Sequence, residues 1–200
     1  MPNRCNNKLE IKTTAPLAEV FEEIGGEFYV HFAKIAPSEA DTVDAQVQAR
    51  GTKRDVFDTD DLTISPKLDN DIDGYYVFFD TARSPPITYY QKLYNKLLEL
   101  DQEAQVNAYY FEPWVWFCGQ WSNGVDDEHW FEDVHYIEGL EGYLVMDNSL
   151  THIFDQVGDD YTTKDTALDD AIQTEDQETI DEVKKILDLY EDYILKRKDG

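Results

Sequence analysis

Only two cysteines, Cys5 and Cys118, occur in the 200 residues, and they form no CxxC pair. That argues against a disulfide framework or a thiolate zinc site and suits a reducing compartment. No apolar run approaches the ~18 residues of a membrane span, and no basic-then-apolar leader opens the chain. A soluble, cytoplasmic protein is expected. Basic residues are scarce: 17 Lys and Arg stand against 43 Asp and Glu, a net charge of −26. None lies between Lys96 and Lys164, although 15 acids do. The GxSxG, G-x4-GK[ST], GxGxxG and HExxH patterns are all absent. No cofactor is expected, and the chain reads as an interaction protein rather than an enzyme.

What is present is aromatic and acidic. Apolar residues make up 42% and aromatic residues 14%, enough for a real core, whereas a disordered acidic chain has few aromatics. The length suits one domain, or one domain with an appendage. A body this negative repels nucleic acid and anionic lipid and attracts basic protein surfaces. The charge is uneven: residues 1 to 125 hold 20 acids and 11 bases, residues 126 to 200 hold 23 acids and 6 bases. Acids without nearby bases must face water, a metal or a basic partner.

Periodicity predicts a first strand over 5–12 and a helix over 15–24, with Thr14 as its cap and Leu17, Val20, Phe21 and Ile24 on one face. A second strand is expected within 51–61 and a third, aromatic and β-branched, over 74–81. The stretch 84–101 reads as a helix with Tyr90, Leu93, Leu97 and Leu100 on one stripe. Strands follow at QVNAYYFE and WVWFCGQW, and GYLVMD (142–147) is expected to extend the same sheet. The order β-α-β-β-α-β implies an α+β fold with a split β-α-β antiparallel sheet, two helices on one face and extra strands. We place this domain at 1–147 and an acidic extension at 148–200. The extension ends in an amphipathic helix carrying Ile180, Val183, Leu187, Tyr190 and Ile194, with Thr174 as its expected cap. Docking on the body is the simpler role for that stripe; a homo-oligomer seam is the alternative.

Three short segments, MPNRCNNKLEI at the start, GTKRD at 51–55 and FDTARSPP at 79–86, precede the aromatic run AYYFEPWVWFCGQW. Together, and in this order, they make the chain resemble the YubB ferredoxin-like family of phage and conjugative-plasmid proteins over about residues 1–145. The resemblance implies a ferredoxin-like fold and a mobile-element origin, and no catalytic residues. The family tends to have Trp where this chain has Arg4, Arg54 and Arg83. In a 4-1-3-2 sheet those three positions are expected to lie together, offering a low-grade anion site unless the chain's own acids compensate them.

Two acidic segments invite a metal reading. Asp69, Asp71 and Asp73, with Gly74 and Asp80, approximate the spacing of a calcium loop. The flanks read as strand rather than helix, so an Asp-rich turn is preferred and these three residues stand only as a weak metal candidate. DDEHWFEDVH (126–135) has no spacing specific to any metal and reads as a solvated acidic loop.

The favoured function is a nucleic-acid mimic that inhibits a host nucleic-acid-binding or defence protein. Its carboxylates would take the place of phosphates, and the partner would be that protein's basic surface, with no direct contact to nucleic acid or membrane. The candidate partner residues are Asp126, Asp127, Glu128, Glu132, Asp133, Asp159, Asp160, Asp169 and Asp170. The alternative is a small anion- or nucleotide-binding or enzymatic domain using the arginines, its acidity serving solubility or salt adaptation.

Overall fold

The structure, a computed structural model, describes residues 4–53, 64–69, 72–113, 117–130, 134–158 and 160–198. The chain is a mixed α+β protein that divides into two compact units, residues 1–129 and 130–200.

In the first unit the elements run β1 (Arg4–Lys12), β2 (Glu22–Ile24), β3 (Glu27–Tyr29), α1 (Phe32–Ile35), α2 (Val43–Arg50), β4 (Ser65–Asp69), β5 (Ile72–Ala82), α3 (Ile87–Leu100), β6 (Gln105–Glu112), β7 (Phe117–Ser122) and β8 (Val125–Trp130). The main sheet has the order β4-β5-β1-β6-β7-β8. The pairs β4–β5, β5–β1, β1–β6 and β6–β7 are antiparallel. The connections from β1 to β4 and from β5 to β6 each skip one strand, so β1 and β5 lie between β4 and β6. Strand alternation buries Cys5, Leu9 and Ile11 of β1 with Val77 and Phe79 of β5 and Val106, Ala108 and Tyr110 of β6. Helix α3 covers that face with Tyr90, Leu93 and Leu97, as its stripe predicted, and with Tyr89, which the stripe did not include, while Leu100 is exposed. The short α1 adds Phe32, whose ring lies 4.5 Å from Tyr89 and 5.8 Å from Phe79. On the opposite face Lys8 pairs with Glu10 at 2.8 Å and rests over the Tyr76 and Phe78 rings.

The helix expected over 15–24 does not form. A single 3-10 turn spans Leu17–Glu19, and β2 and β3 then make a hairpin about Gly25-Gly26, whose φ values are +64° and +92°. Two left-handed glycines match the twist of a tight hairpin and end any helix. Leu17, Val20 and Phe21 are still buried, but Ile24 is 57% exposed. Thr14 caps no helix: its N–H and hydroxyl donate to the Asp101 carboxylate. The expected strand at 51–61 falls mostly on 54–63, outside the described residues. The strand paired with β5 is β4, which tolerates Pro66 because it stands at the sheet's end.

The second unit holds β9 (Val134–Ile137), β10 (Gly142–Val145), α4 (Thr151–Val157), β11 (Tyr161–Thr163), α5 (Ala167–Gln173) and α6 (Gln177–Lys198). Its sheet has the order β11-β10-β9, with β10 antiparallel to β9 and parallel to β11. GYLV therefore does not extend the main sheet; it is the centre of a separate one. The boundary expected at 147 falls inside this unit, because β10 pairs with strands on both sides of that point. Ile137, Leu144, Met146, Ala167, Ala171 and Val183 form the core, with Ile180, Leu187 and Tyr190 packed against it. The stripe of α6 is thus used within its own unit; the side chain of Ile194 lies outside the described ones. Asp176, not Thr174, caps α6: its carboxylate accepts from the N–H groups of Glu178 and Thr179 and from the Thr179 hydroxyl. Thr174 instead donates to the Ala171 carbonyl. Gly139 is required where it is, since a Cβ there would meet the Thr179 side chain.

Candidate functional site

The segment DDEHW is a strand, β8, rather than a loop. A two-residue Asn123-Gly124 turn, with φ +49° and +97°, returns the chain from β7 into it. Asp126, Asp127 and Glu128 are exposed along β8. Asp126 is also part of the fold. The Tyr110 hydroxyl crosses β7 at Gly119, where any Cβ would collide with it, and donates to Asp126 Oδ1 at 2.7 Å. Partial burial raises the Asp126 pKa although the Tyr110 bond opposes this, and burial raises that of Tyr110. Asp127 Oδ1 lies 3.5 Å from His129 Nε2. Glu132, Asp133 and Asp159 lie outside the described residues.

Asp160, Asp169 and Asp170 all lie in the second unit. Asp160 leads into β11, Asp169 and Asp170 start α5, and the Thr162 hydroxyl of β11 donates to Asp170 Oδ2. Asp155 accepts from the Tyr161 hydroxyl at 2.7 Å beside them. Among the side chains of this unit that the structure describes, which end at Glu191, fourteen acids are exposed against three lysines, Lys164, Lys184 and Lys185; the side chains of Lys196, Arg197 and Lys198 lie outside them.

The calcium-like frame is a β-hairpin. Asp69 ends β4, Asp73 lies in β5, and Asp71 falls outside the described residues. Asp80 stands eight residues beyond Ile72, about 26 Å along an extended strand, and pairs with Arg4 at 3.1 Å. Among the described residues no three His, Cys, Asp or Glu gather as a metal group, and no helix is long and apolar enough to cross a membrane.

The three short segments meet at one end of the main sheet. Arg4 pairs across the strands with Ala82, the residue before Arg83. The Thr52 hydroxyl donates to the Ala82 carbonyl at 3.1 Å, and the Ser84 hydroxyl to the Gly51 carbonyl at 3.1 Å. Arg4 and Arg83 are therefore neighbours along the backbone path, with Lys53 beside them; Arg54 lies outside the described residues. Beneath them runs a buried polar chain. Tyr90 donates to Asn7 Oδ1 at 2.9 Å, Asn7 Nδ2 to Thr81 Oγ1 at 3.0 Å, and Thr81 Oγ1 to the Ser84 carbonyl at 2.8 Å. Glu112, fully buried at the end of β6, and Cys5 belong to the same region. Both cysteines are buried; burial, and next the Glu112 charge, raise the Cys5 thiol, and burial pushes Cys118 up to about 12. The polar chain escaped the sequence reading although Asn7, Thr52, Thr81 and Ser84 all lie in the quoted segments. Alternation put Asn7 and Thr81 on the core face, and that was the available signal.

Comparison with family models, curated proteins and solved structures returned no match for the chain.

Proposed function

We propose that this chain is an acidic interaction protein that docks on the basic, nucleic-acid-binding surface of another protein and presents carboxylates where that surface takes phosphates. The observation that carries the reading is the second unit's charge: residues 130–200 hold 20 acids and 6 bases, and among the side chains described up to Glu191 fourteen acids and three lysines are exposed. A field of one sign on an ordered body attracts a groove evolved for a polyanion carrying one charge per ~1.7 Å of duplex axis. The resemblance to the YubB family, from phages and conjugative plasmids, supplies the biological setting: a product acting in a host cytoplasm against a host nucleic-acid-binding or defence protein. The strand order β6-β1-β5-β4, which is 4-1-3-2 when counted along the chain, supports the ferredoxin-like assignment within that resemblance.

The test is capture from host lysate on the immobilised full chain, washed at low salt and eluted with heparin. A nucleic-acid-binding protein released by heparin supports the reading. Recovery of only other proteins, or of none, overturns it. Asp127→Lys, Glu128→Lys, Asp160→Lys and Asp169→Lys together should slow association with the captured protein and flatten its salt dependence.

A further inference from the structure

The strongest feature outside the acidic surface is a small basic island. The backbone brings Arg4, Lys53 and Arg83 close to Ala82: by strand pairing, by the Thr52–Ala82 hydrogen bond, and by chain adjacency. All three are exposed, and the Arg4 side chain retains 53% of its accessibility while paired with Asp80. On a body of net charge −26, such a grouping is against the trend of the whole surface.

The loops that hold it are fixed from below. Gly51 ends α2 with its N–H on the Val47 carbonyl, and its own carbonyl receives the Ser84 hydroxyl. Thr81 binds the Ser84 carbonyl from the polar chain that ends on Tyr90. Arg83 holds a φ of +67°, a left-handed conformation that side chains other than glycine, Asn and Asp rarely adopt. The packing at this turn therefore sets where the guanidinium leaves the surface. Helix α3 starts four residues later with no acid in its first turn, so its dipole adds to the positive field.

We propose that Arg4, Lys53 and Arg83 form a binding site for the phosphate group of a small phosphorylated molecule. Two guanidinium groups offer planar, paired donors to phosphate oxygens, and the lysine adds a mobile point charge. Size follows from electrostatics. Repulsion from the acidic body grows with ligand charge, so a nucleic-acid strand is turned away whereas a compact dianion reaches the island at modest cost. This site is independent of the acidic docking surface.

The experiment titrates the full chain with inorganic phosphate, a nucleoside monophosphate and a nucleoside diphosphate, followed by calorimetry and by 31P line broadening. A ten-nucleotide single-stranded DNA is the polymer control. Saturable binding of inorganic phosphate is expected, and tighter binding of a nucleotide would place the source in nucleotides rather than free phosphate. Arg83→Asn removes the charge yet tolerates the left-handed backbone, and should weaken binding about tenfold with unchanged melting. Lys53→Ala, at an exposed position, should weaken it less. The proposal is overturned if the wild-type protein binds none of the small ligands, if both variants bind as the wild type does, or if the DNA binds more tightly than the mononucleotide.

Discussion

Replacing Gly51 by alanine should unfold the first unit at a markedly lower temperature, for two separable reasons. Gly51 sits at φ +88°, where an L-residue costs roughly 1–2 kcal/mol. A Cβ there would also lie 2.9 Å from the Ile87 nitrogen, 3.0 Å from the Thr88 nitrogen and 3.2 Å from the Pro86 carbonyl carbon. These are backbone atoms opening α3, so no rotamer change relieves the overlap, and overpacking of this kind costs roughly 1–3 kcal/mol. The sum, roughly 2–5 kcal/mol, corresponds to a fall in Tm of roughly 5–15 °C for a chain of this size. Gly26 is the internal control: it has φ +92° in the same unit, with nothing within 4 Å of its Cβ position. Gly26→Ala should show only the first contribution. Differential scanning calorimetry of the two variants checks this. Equal losses would show that α3 does not press on Gly51, and that the loop beneath Arg83 is not held as described.

Tyr110→Phe should cost about 1 kcal/mol at neutral pH, less than the roughly 1.5–3 kcal/mol of a buried bond to a charged group because water screens the exposed Asp126. The loss should shrink in acid as Asp126 protonates, and urea melts at pH 7 and pH 4 measure both. Val183→Ala removes two methyl groups from a fully buried site, so the second unit should lose roughly 2 kcal/mol and α6 its hydrogen-exchange protection; unaltered protection would mean that α6 is not docked. Asp101 accepts from the N–H groups of Thr14 and Glu103 and from the Thr13 and Thr14 hydroxyls, which lower its pKa from 3.8 to about 2. Its contribution is therefore complete above pH 4 and disappears as pH falls through about 2, and Asp101→Asn should remove that part of the acid limb.

Much of the fold was legible where one periodicity dominated. β1 carries alternation, β5 an aromatic and β-branched run and α3 a clean 3-4 stripe, and each lies close to where its pattern placed it. The failure at 15–24 has a specific cause. Leu17, Val20 and Phe21 at +3 and +1 satisfy a helix, yet the same three residues are buried by a 3-10 turn running into a hairpin. The Gly25-Gly26 pair that follows fits a hairpin turn as well as a helix end. Asn123-Gly124 is the stronger instance: that dipeptide between WFCGQWS and VDDEHW marks the β7–β8 hairpin. The parallel pairing of β10 with β11 is non-local and leaves no short-range mark, which is why the second unit was cut at 147. The convergence of Arg4 and Arg83 was accessible because it depends only on strand order. The buried polar chain was partly so: alternation puts Asn7 and Thr81 on the core face, but the bonds that join them to Tyr90 and Ser84 span 74 to 83 residues or lie in a turn and leave no periodic mark.

The acids divide by employment, and the division bears on why there are so many. Asp101 pins two loops, Asp176 caps α6, Asp126 receives Tyr110, Asp155 receives Tyr161, and Asp170 receives Thr162. These uses account for a small part of the 43. Solubility alone is served by a net charge of about 2–8 on a small domain, so −26 is excess that destabilises the compact state by self-repulsion. A partner and a salty medium are the two compensations open to such a surface, and they leave opposite signatures. Salt shortens the Debye length from about 10 Å at 0.1 M to about 3 Å at 1 M, relieving self-repulsion and raising Tm in either case. Only for a charge-complementary partner does the same salt dissociate a complex, with the loss concentrated in the association rate. The expected result is a Tm that rises with KCl while affinity for the captured protein falls steeply. Affinity insensitive to KCl would leave the excess charge to salt adaptation and remove the carboxylate surface from the interface.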